Sequence, residues 1–195
     1  MSTENVIDKK LRFFTDESRI YLQRVDQKDL PEVRKAFTRS RVSLEPWIFR
    51  PEDYKAWAED EARMLVRLKE NGKIAGQFNL SGIIRYSLQQ AFLGYNAFEP
   101  YMGNGYMKEA MPLVIWLAFE ELKLHRIEAN IQPANVPSLR FINNFAFRNE
   151  GYSLRYLNIA GQWRDHIRMA LTSEDAGLLL KDLKNKVRTE KWQLK

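Results

Sequence analysis

The chain has 195 residues, 45% of them hydrophobic and 29% charged, a length and balance that fit one domain with a substantial core. It contains no cysteine, which excludes disulfides, thiolate nucleophiles and cysteine metal sites, and His125 and His166 lie too far apart in sequence for us to expect a metal site. The net charge of +6 suits a polyanionic cofactor or an RNA-rich partner.

The N-terminal part predicts a cytoplasmic protein that begins with a strand and a helix. It is polar and lacks the apolar core of a signal peptide, and no apolar stretch in the chain reaches the roughly 20 residues that span a bilayer. Residues 20–25 predict a first strand. Asp29 and Glu32 then resemble a capping box at a helix start, and residues 51–63 predict a second helix.

A hairpin follows in the middle of the chain. Residues 64–69 and 74–84 predict two strands, and Asn71-Gly72 between them is a strong hairpin turn signal. Residues 90–97 predict the next strand.

The segment from residue 91 to residue 151 carries most of the functional information. After its first strand comes a loop with Gly103 and Gly105, then a long helix with an apolar face that starts at Tyr106. A glycine turn that leads into a helix offers unpaired N–H groups to an anion, with the positive end of the helix dipole behind them. This order of elements predicts a site for a phosphate-bearing cofactor.

The remaining elements complete a mixed sheet. Residues 126–131 predict a strand and residues 138–145 a short helix, and residues 151–159 and 163–171 predict a final strand pair. A strand–helix–strand crossover among hairpins indicates an α/β fold with a mixed sheet. We expect one domain over residues 1–172, followed by a basic helix or tail over residues 173–195 that packs on the domain or docks on RNA or a partner.

These motifs resemble the GNAT superfamily of N-acetyltransferases, and within it the RimJ-like group that acetylates the N-terminal alanine of ribosomal proteins. The resemblance runs from about residue 19 to residue 171. It rests on the segments Leu44-Glu-Pro-Trp47, Gly103-Asn-Gly-Tyr-Met107, Ala118 to Ala129, Asn135-x-x-Ser138 and Gly161 to His166. It implies a mostly antiparallel sheet flanked by helices, with a central β-α-β cofactor unit and splayed parallel strands.

The resemblance also implies acetyl-CoA as co-substrate and no metal. In the family loop pattern Q/R-x-x-G-x-G/A, Met102 takes the first position, so backbone N–H groups from Gly103 to Lys108 would carry more of the phosphate contacts. The strand at Tyr95 would pair with the pantetheine arm. The implied cofactor residues are Tyr95, Asn96, Ala97, Met102, Gly103, Asn104, Gly105, Tyr106, Met107, Lys108, Asn135 and Ser138.

Three residues are candidates for catalysis. Asn130 stands where related alanine acetyltransferases can carry a glutamate, and it can hold a water without taking a proton. Glu45 is the nearest carboxylate candidate in the expected groove loop, with a solvated loop acid as the alternative. Ser138 is a candidate because Ile142 occupies the position where some relatives carry a tyrosine. Ser138 could contact the leaving thiolate, or it could cap the helix that follows Pro137.

The expected acceptor is a protein N-terminus, such as that of a ribosomal protein, held by Trp47, Arg155, Tyr156 and Asn158. Two alternatives stay open: a small amine such as a polyamine, amino acid or antibiotic, and a GNAT-fold binding module associated weakly with ribosomes or RNA. Asp165 and His166 are neighbours on a predicted strand and point to opposite faces, so they form no conventional dyad there. We expect a monomer or a homodimer.

Overall fold

The computed structural model describes residue 8 and residues 11–48, 53–59 and 62–191. The strands in these parts are β1 (Leu11–Thr15), β2 (Ile20–Arg24), β3 (Ala62–Leu68), β4 (Ile74–Ile84), β5 (Gln90–Ala97), β6 (Arg126–Ile131), β7 (Arg148–Ile159), β8 (Gln162–Thr172) and β9 (Val187–Lys191). The helices are α1 (Leu30–Arg39), α2 (Arg41–Leu44), α3 (Tyr54–Glu59), α4 (Tyr106–Trp116), α5 (Val136–Ile142) and α6 (Gly177–Leu183). A π-helical turn over Leu117–Glu121 continues α4.

The described strands form a single mixed sheet in the order β7-β8-β6-β5-β4-β3-β2-β1-β9. Every neighbouring pair is antiparallel except β5 and β6, which are joined by α4 and run parallel. The predicted α/β class with a mostly antiparallel sheet is therefore confirmed. The predicted bounds of β4, β5 and β6 agree with the structure. The helix predicted for residues 51–63 is wrong at its end, because Ala62 and Arg63 pair with β4 as the start of β3. α3 lies inside the rest of that prediction, and residues 51, 52, 60 and 61 fall outside the described residues.

The parallel pair separates part of the way along its length. β5 and β6 pair only from Gln90 with Arg126 to Phe92 with Glu128, while β5 stays paired with β4 as far as Ala97. The edge of residues 93–97 that faces β6 is consequently open. The splay implied by the family resemblance is present, and it creates the gap in which the functional site lies.

The sheet separates two hydrophobic cores. Successive side chains on a strand point to opposite faces, so Met64 and Val66 of β3 join the larger core beneath α4, whereas Leu65 joins a smaller core with Phe37 of α1 and Tyr54 of α3. The face beneath α1, α2 and α3 is called the α1 face from here on.

The helix start at Asp29 differs from the prediction. A capping box is present three residues earlier, where Asp26 caps the turn and Asp29 Oδ2 accepts a hydrogen bond from Asp26 N at 2.9 Å. Asp29 Oδ1 and Glu32 instead accept from the buried guanidinium of Arg67 on β3, at 2.9 and 3.0 Å. The predicted capping box at Asp29 and Glu32 is therefore wrong, because a buried cation on a neighbouring strand recruits both carboxylates.

The two ends of the described chain meet at one edge of the sheet. β1, which the sequence analysis does not predict, pairs with β9 along all five residues, from Leu11 with Lys191 to Thr15 with Val187. Leu183 of α6 is buried, and Leu179 and Val187 pack against the larger core. The described part of the predicted basic tail thus packs on the sheet, while the division of the chain at residue 172 stays a prediction.

Candidate active site

A cavity of about 1450 Å³ opens where β5 and β6 separate. Residues 93–97 of β5 and residues 129–132 at the end of β6 form its walls, and the start of α5 closes one end. The loop before α4, the region around α2 and α3, and polar residues of β3 and β4 contribute the remaining lining. This concave site brings together residues from distant parts of the sequence.

The glycine loop has the geometry expected of an anion site. Gly103 and Gly105 have φ angles of +79° and +84°, the left-handed region that glycine adopts without strain. A Cβ atom at Gly103 would meet nothing within 4 Å, so the backbone there is open to a ligand. The first intrahelical bond of α4 runs from Lys108 N to Gly105 O at 2.9 Å, which leaves the preceding amides at the exposed end of the helix.

Most predicted cofactor residues line this cavity. Asn104 is the exception: it does not line the cavity, and its carbonyl accepts a hydrogen bond from Arg19 at 2.9 Å. The predicted residues that do line it are Tyr95, Asn96, Ala97, Met102, Gly103, Gly105, Tyr106, Met107, Lys108, Asn135 and Ser138.

Arg19 braces the loop, a contact that sequence reasoning missed. Its Nε donates to Glu109 at 2.6 Å, its backbone N–H donates to the same carboxylate at 2.9 Å, and its guanidinium lies 4.5 Å from the centre of the Tyr106 ring. The hydrogen bond to Glu109 raises the pKa of Arg19. Arg19 therefore neutralises a carboxylate in the first turn of α4 and fixes the loop next to it.

The structure changes the interpretation of Ser138. Asn135 is the N-cap of α5 and accepts a hydrogen bond from Ser138 N at 3.2 Å, so Ser138 does not cap this helix. Ser138 Oγ instead lies 2.7 Å from the hydroxyl of Tyr95 on β5. Burial raises the pKa of Tyr95 to about 12. Two hydroxyls thus meet inside the cavity.

The other two catalytic candidates have different surroundings. Asn130 lines the cavity, and its Oδ1 is buried without a hydrogen-bond partner among the described residues. An orphaned buried acceptor is rare in folded proteins and calls for an explanation. Glu45 is exposed, pairs with Arg41 at 3.2 Å and does not line the cavity, although its neighbours Leu44 and Trp47 do.

The cavity has a polar floor on the α1 face, and this floor is the second feature that sequence reasoning missed. Arg63 on β3 stands opposite Asn79 on β4, and Leu65 of the α1-face core stands opposite Gln77, so all three polar side chains share this face. Arg63 and Gln77 are buried, and Arg63 donates to Gln77 at 3.4 Å. Buried polar residues inside two strongly apolar strands were the available sequence signal.

The loop that carries Trp47 is tied to the end of β6. Gln132 Nε2 donates to the carbonyl of Pro46 at 3.1 Å, and both Gln132 and Trp47 line the cavity. This contact joins the α1 face to the splayed strand and holds Trp47 at the rim of the cavity.

The three predicted acceptor residues on β7 do not line the cavity. Arg155 and Asn158 are exposed, and Tyr156 packs edge-on against the buried His166 at 6.0 Å between ring centres. Asp165 accepts from Tyr152 and from Arg155 N, whereas burial lowers the pKa of His166. The structure therefore gives Asp165 and His166 separate partners, as alternation along a strand predicts.

Within residue 8 and residues 11–48, 53–59 and 62–191, no group of three or more metal-ligating side chains comes together. None of the helices in these ranges is both long and apolar enough to cross a bilayer.

Comparison with known proteins identifies the family. Residues 19–148 match the acetyltransferase (GNAT) domain family. The chain is 31% identical over 182 residues to the ribosomal protein uS5-alanine N-acetyltransferase of Escherichia coli, covering 85% of this chain and 93% of that enzyme. It is 38% identical over 117 residues to the probable N-acetyltransferase YjcK of Bacillus subtilis, covering 60% of this chain and 65% of that protein.

A solved structure supports the same fold. Mycobacterium smegmatis RimJ in complex with CoA-disulfide has a TM-score of 0.77 at 22% identity, covering 95% of this chain and 98% of that one. Together with the splayed strands and the glycine loop, these matches show that the chain belongs to the GNAT superfamily and is an acetyl-CoA-dependent N-acetyltransferase.

Proposed function

We propose that this enzyme transfers the acetyl group of acetyl-CoA to the N-terminal α-amino group of a protein. The observation that carries the proposal is the chemistry of the acceptor side of the cavity. Most of its polar side chains are amides, and Asp53 is the only carboxylate among the described residues that line it. The Escherichia coli relative is by its name an alanine N-acetyltransferase of the ribosomal protein uS5, which supports a protein as the acceptor.

An amide-lined groove fits a peptide better than a polyamine. A peptide backbone offers both donors and acceptors, and asparagine and glutamine side chains supply both in return. A polyamine needs carboxylates, yet the carboxylate of Asp53 already accepts from the N–H groups of Lys55 and Ala56 at the start of α3.

At the other end of the cavity, the residues present fit a phosphate-bearing nucleotide. The loop amides between Gly103 and Lys108 would hold the pyrophosphate, and the exposed Lys108 adds a positive charge beside them. The open edge of β5 would hold the pantetheine arm by backbone hydrogen bonds. Acetyl-CoA supplies the acetyl group there as a thioester.

The brace formed by Arg19 gives a test of this assignment. Replacing Arg19 with alanine is expected to weaken CoA binding about two- to fivefold, the size typical of an exposed charge pair, because Glu109 would then face the phosphates without a counter-charge. Isothermal titration calorimetry with CoA measures the change. In the double variant with Glu109→Gln the affinity should recover, and an affinity that stays low would show that the carboxylate is not the cause.

The chemical roles follow from the positions of the side chains. The backbone amides near Asn96 would polarise the acetyl carbonyl, and the side-chain amide of Asn130, which lines the cavity, would hold the incoming amine or a water next to it. Ser138 Oγ would lie near the sulfur of the leaving group. An α-amino group has a pKa near 7.7–8.0, so a useful fraction is neutral at cellular pH without a strong base.

A peptide panel tests the acceptor. Peptides that differ only in the first residue should be acetylated best when that residue is alanine or serine, because Trp47 narrows the rim of the cavity against larger side chains. The panel is assayed beside spermidine and free amino acids. The small-amine alternative takes the place of the proposal if any of these outperforms every peptide by an order of magnitude.

The same assay has a predicted pH dependence. The neutral amine is the reactive species, so kcat/KM should rise with pH through the α-amino pKa of roughly 7.7–8.0 and level off above it.

A further inference from the structure

The tyrosine of β5 that faces Ser138 has a fixed position inside the cavity. The Tyr95 ring packs against Phe78 at 5.8 Å and Phe141 at 5.0 Å between ring centres, so aromatic neighbours hold it on two sides. Its hydroxyl lies 2.7 Å from Ser138 Oγ and 3.4 Å from the Ser138 carbonyl. A side chain held this way can orient its partner without reorganisation.

The number of protons defines how the pair can be arranged. Each hydroxyl has one hydrogen to donate and lone pairs that accept. The raised pKa of Tyr95, about 12, keeps its hydrogen in place at any working pH. If Tyr95 donates to Ser138 Oγ, the Ser138 hydrogen points elsewhere, and the cavity that both residues line is the open direction.

The position used by some relatives for a tyrosine is not available here. Ile142 is fully buried in the larger core and does not line the cavity. A hydroxyl near Ser138 therefore comes from the sheet, through Tyr95, rather than from α5.

We propose that Tyr95 is a positioning residue that donates its hydroxyl hydrogen to Ser138 Oγ and thereby directs the Ser138 hydroxyl toward the sulfur of the leaving CoA. Neither hydroxyl gives up its proton: Ser138 stabilises the negative sulfur by a hydrogen bond alone. The inference rests on the proposed position of CoA in this cavity and is independent of the identity of the acceptor.

The test measures the sulfur directly and needs no acceptor. The thiolate fraction of CoA bound to the enzyme is followed at one fixed pH by its ultraviolet absorbance, beside free CoA. Bound CoA should show the larger thiolate fraction. Tyr95→Phe and Ser138→Ala should each lower the thiolate-to-thiol ratio about 10- to 150-fold, as expected for one hydrogen bond to a charged group.

The double variant tests whether the two residues act as a unit. Because Tyr95 works through Ser138, adding Tyr95→Phe to Ser138→Ala should cause no further loss. Tyr21→Phe is the matched control, since it removes a hydroxyl from another buried tyrosine outside the cavity and should leave the ratio unchanged.

Three results would overturn the proposal: equal thiolate fractions in bound and free CoA, an unchanged ratio in Ser138→Ala, or additive losses in the double variant. Ser138→Ala keeps the aromatic packing around Tyr95 intact, so it gives a decision even if Tyr95→Phe folds poorly. A failed peptide panel would not affect any of these measurements, because they depend on CoA alone.

Discussion

Replacing Gly105 with glutamate is expected to abolish measurable CoA binding while the sheet stays folded. Gly105 has a φ of +84°, and the new side chain would start 3.4 Å from the guanidinium of Arg19, at the exposed end of α4. Arg19 already pairs with Glu109, so the added carboxylate would stay uncompensated. Two like charges in contact near a protein surface repel by about 4 kcal/mol, which is close to a 1000-fold loss of affinity. Calorimetric titration with CoA gives the affinity, and thermal unfolding gives the stability.

A second glycine separates the charge from the backbone strain. Gly161, in the turn between β7 and β8, has a φ of +79° and open space around its Cβ position, and it does not line the cavity. Gly161→Glu therefore carries a similar strain, about 1–2 kcal/mol for a left-handed residue, with no expected effect on CoA affinity. Unchanged affinity in Gly105→Glu would show that the cofactor phosphates lie elsewhere.

The parts of the fold that follow from local pattern were predictable. The Asn71-Gly72 turn fixes the β3–β4 hairpin, and Gly72 has the left-handed φ of +71° that such a turn requires. The β5–α4–β6 crossover follows from the periodicity of its own residues. The pairing of β1 with β9 joins residues from opposite ends of the chain, and no local pattern in either short strand predicts this pairing.

The candidate site also has parts that follow from local sequence patterns and parts that depend on long-range packing. The glycine loop and Asn135-x-x-Ser138 are contiguous motifs, and the structure brings both to the cavity. Arg19 contacts Asn104 across 85 positions, and Tyr95 contacts Ser138 across 43, so these contacts depend on how the elements pack. Glu45 and the three β7 residues do not line the cavity. They were assigned to it from their position in the sequence or from family resemblance, and neither determines which way a side chain points.

Asn130 carries the second large prediction, a loss of turnover without a loss of cofactor binding. Its buried Oδ1 finds no partner among the described residues, and a buried unsatisfied acceptor costs about 1–3 kcal/mol. A leucine at this position would remove the cost and should leave the unfolding midpoint unchanged or higher. The same change would deprive the amine or its water of an acceptor, so kcat/KM for the peptide should fall about 5- to 150-fold.

The comparison that decides this role is between stability and turnover. Asn185→Leu is the matched control, since this exposed asparagine lies after α6, outside the cavity, and should leave both quantities near their original values. CoA affinity, measured by calorimetry, should stay constant in both variants because Asn130 belongs to the acceptor side. An Asn130→Leu enzyme that keeps full turnover would mean that the orphaned acceptor serves no substrate, and the assignment of the acceptor amine to this end of the cavity would then be wrong.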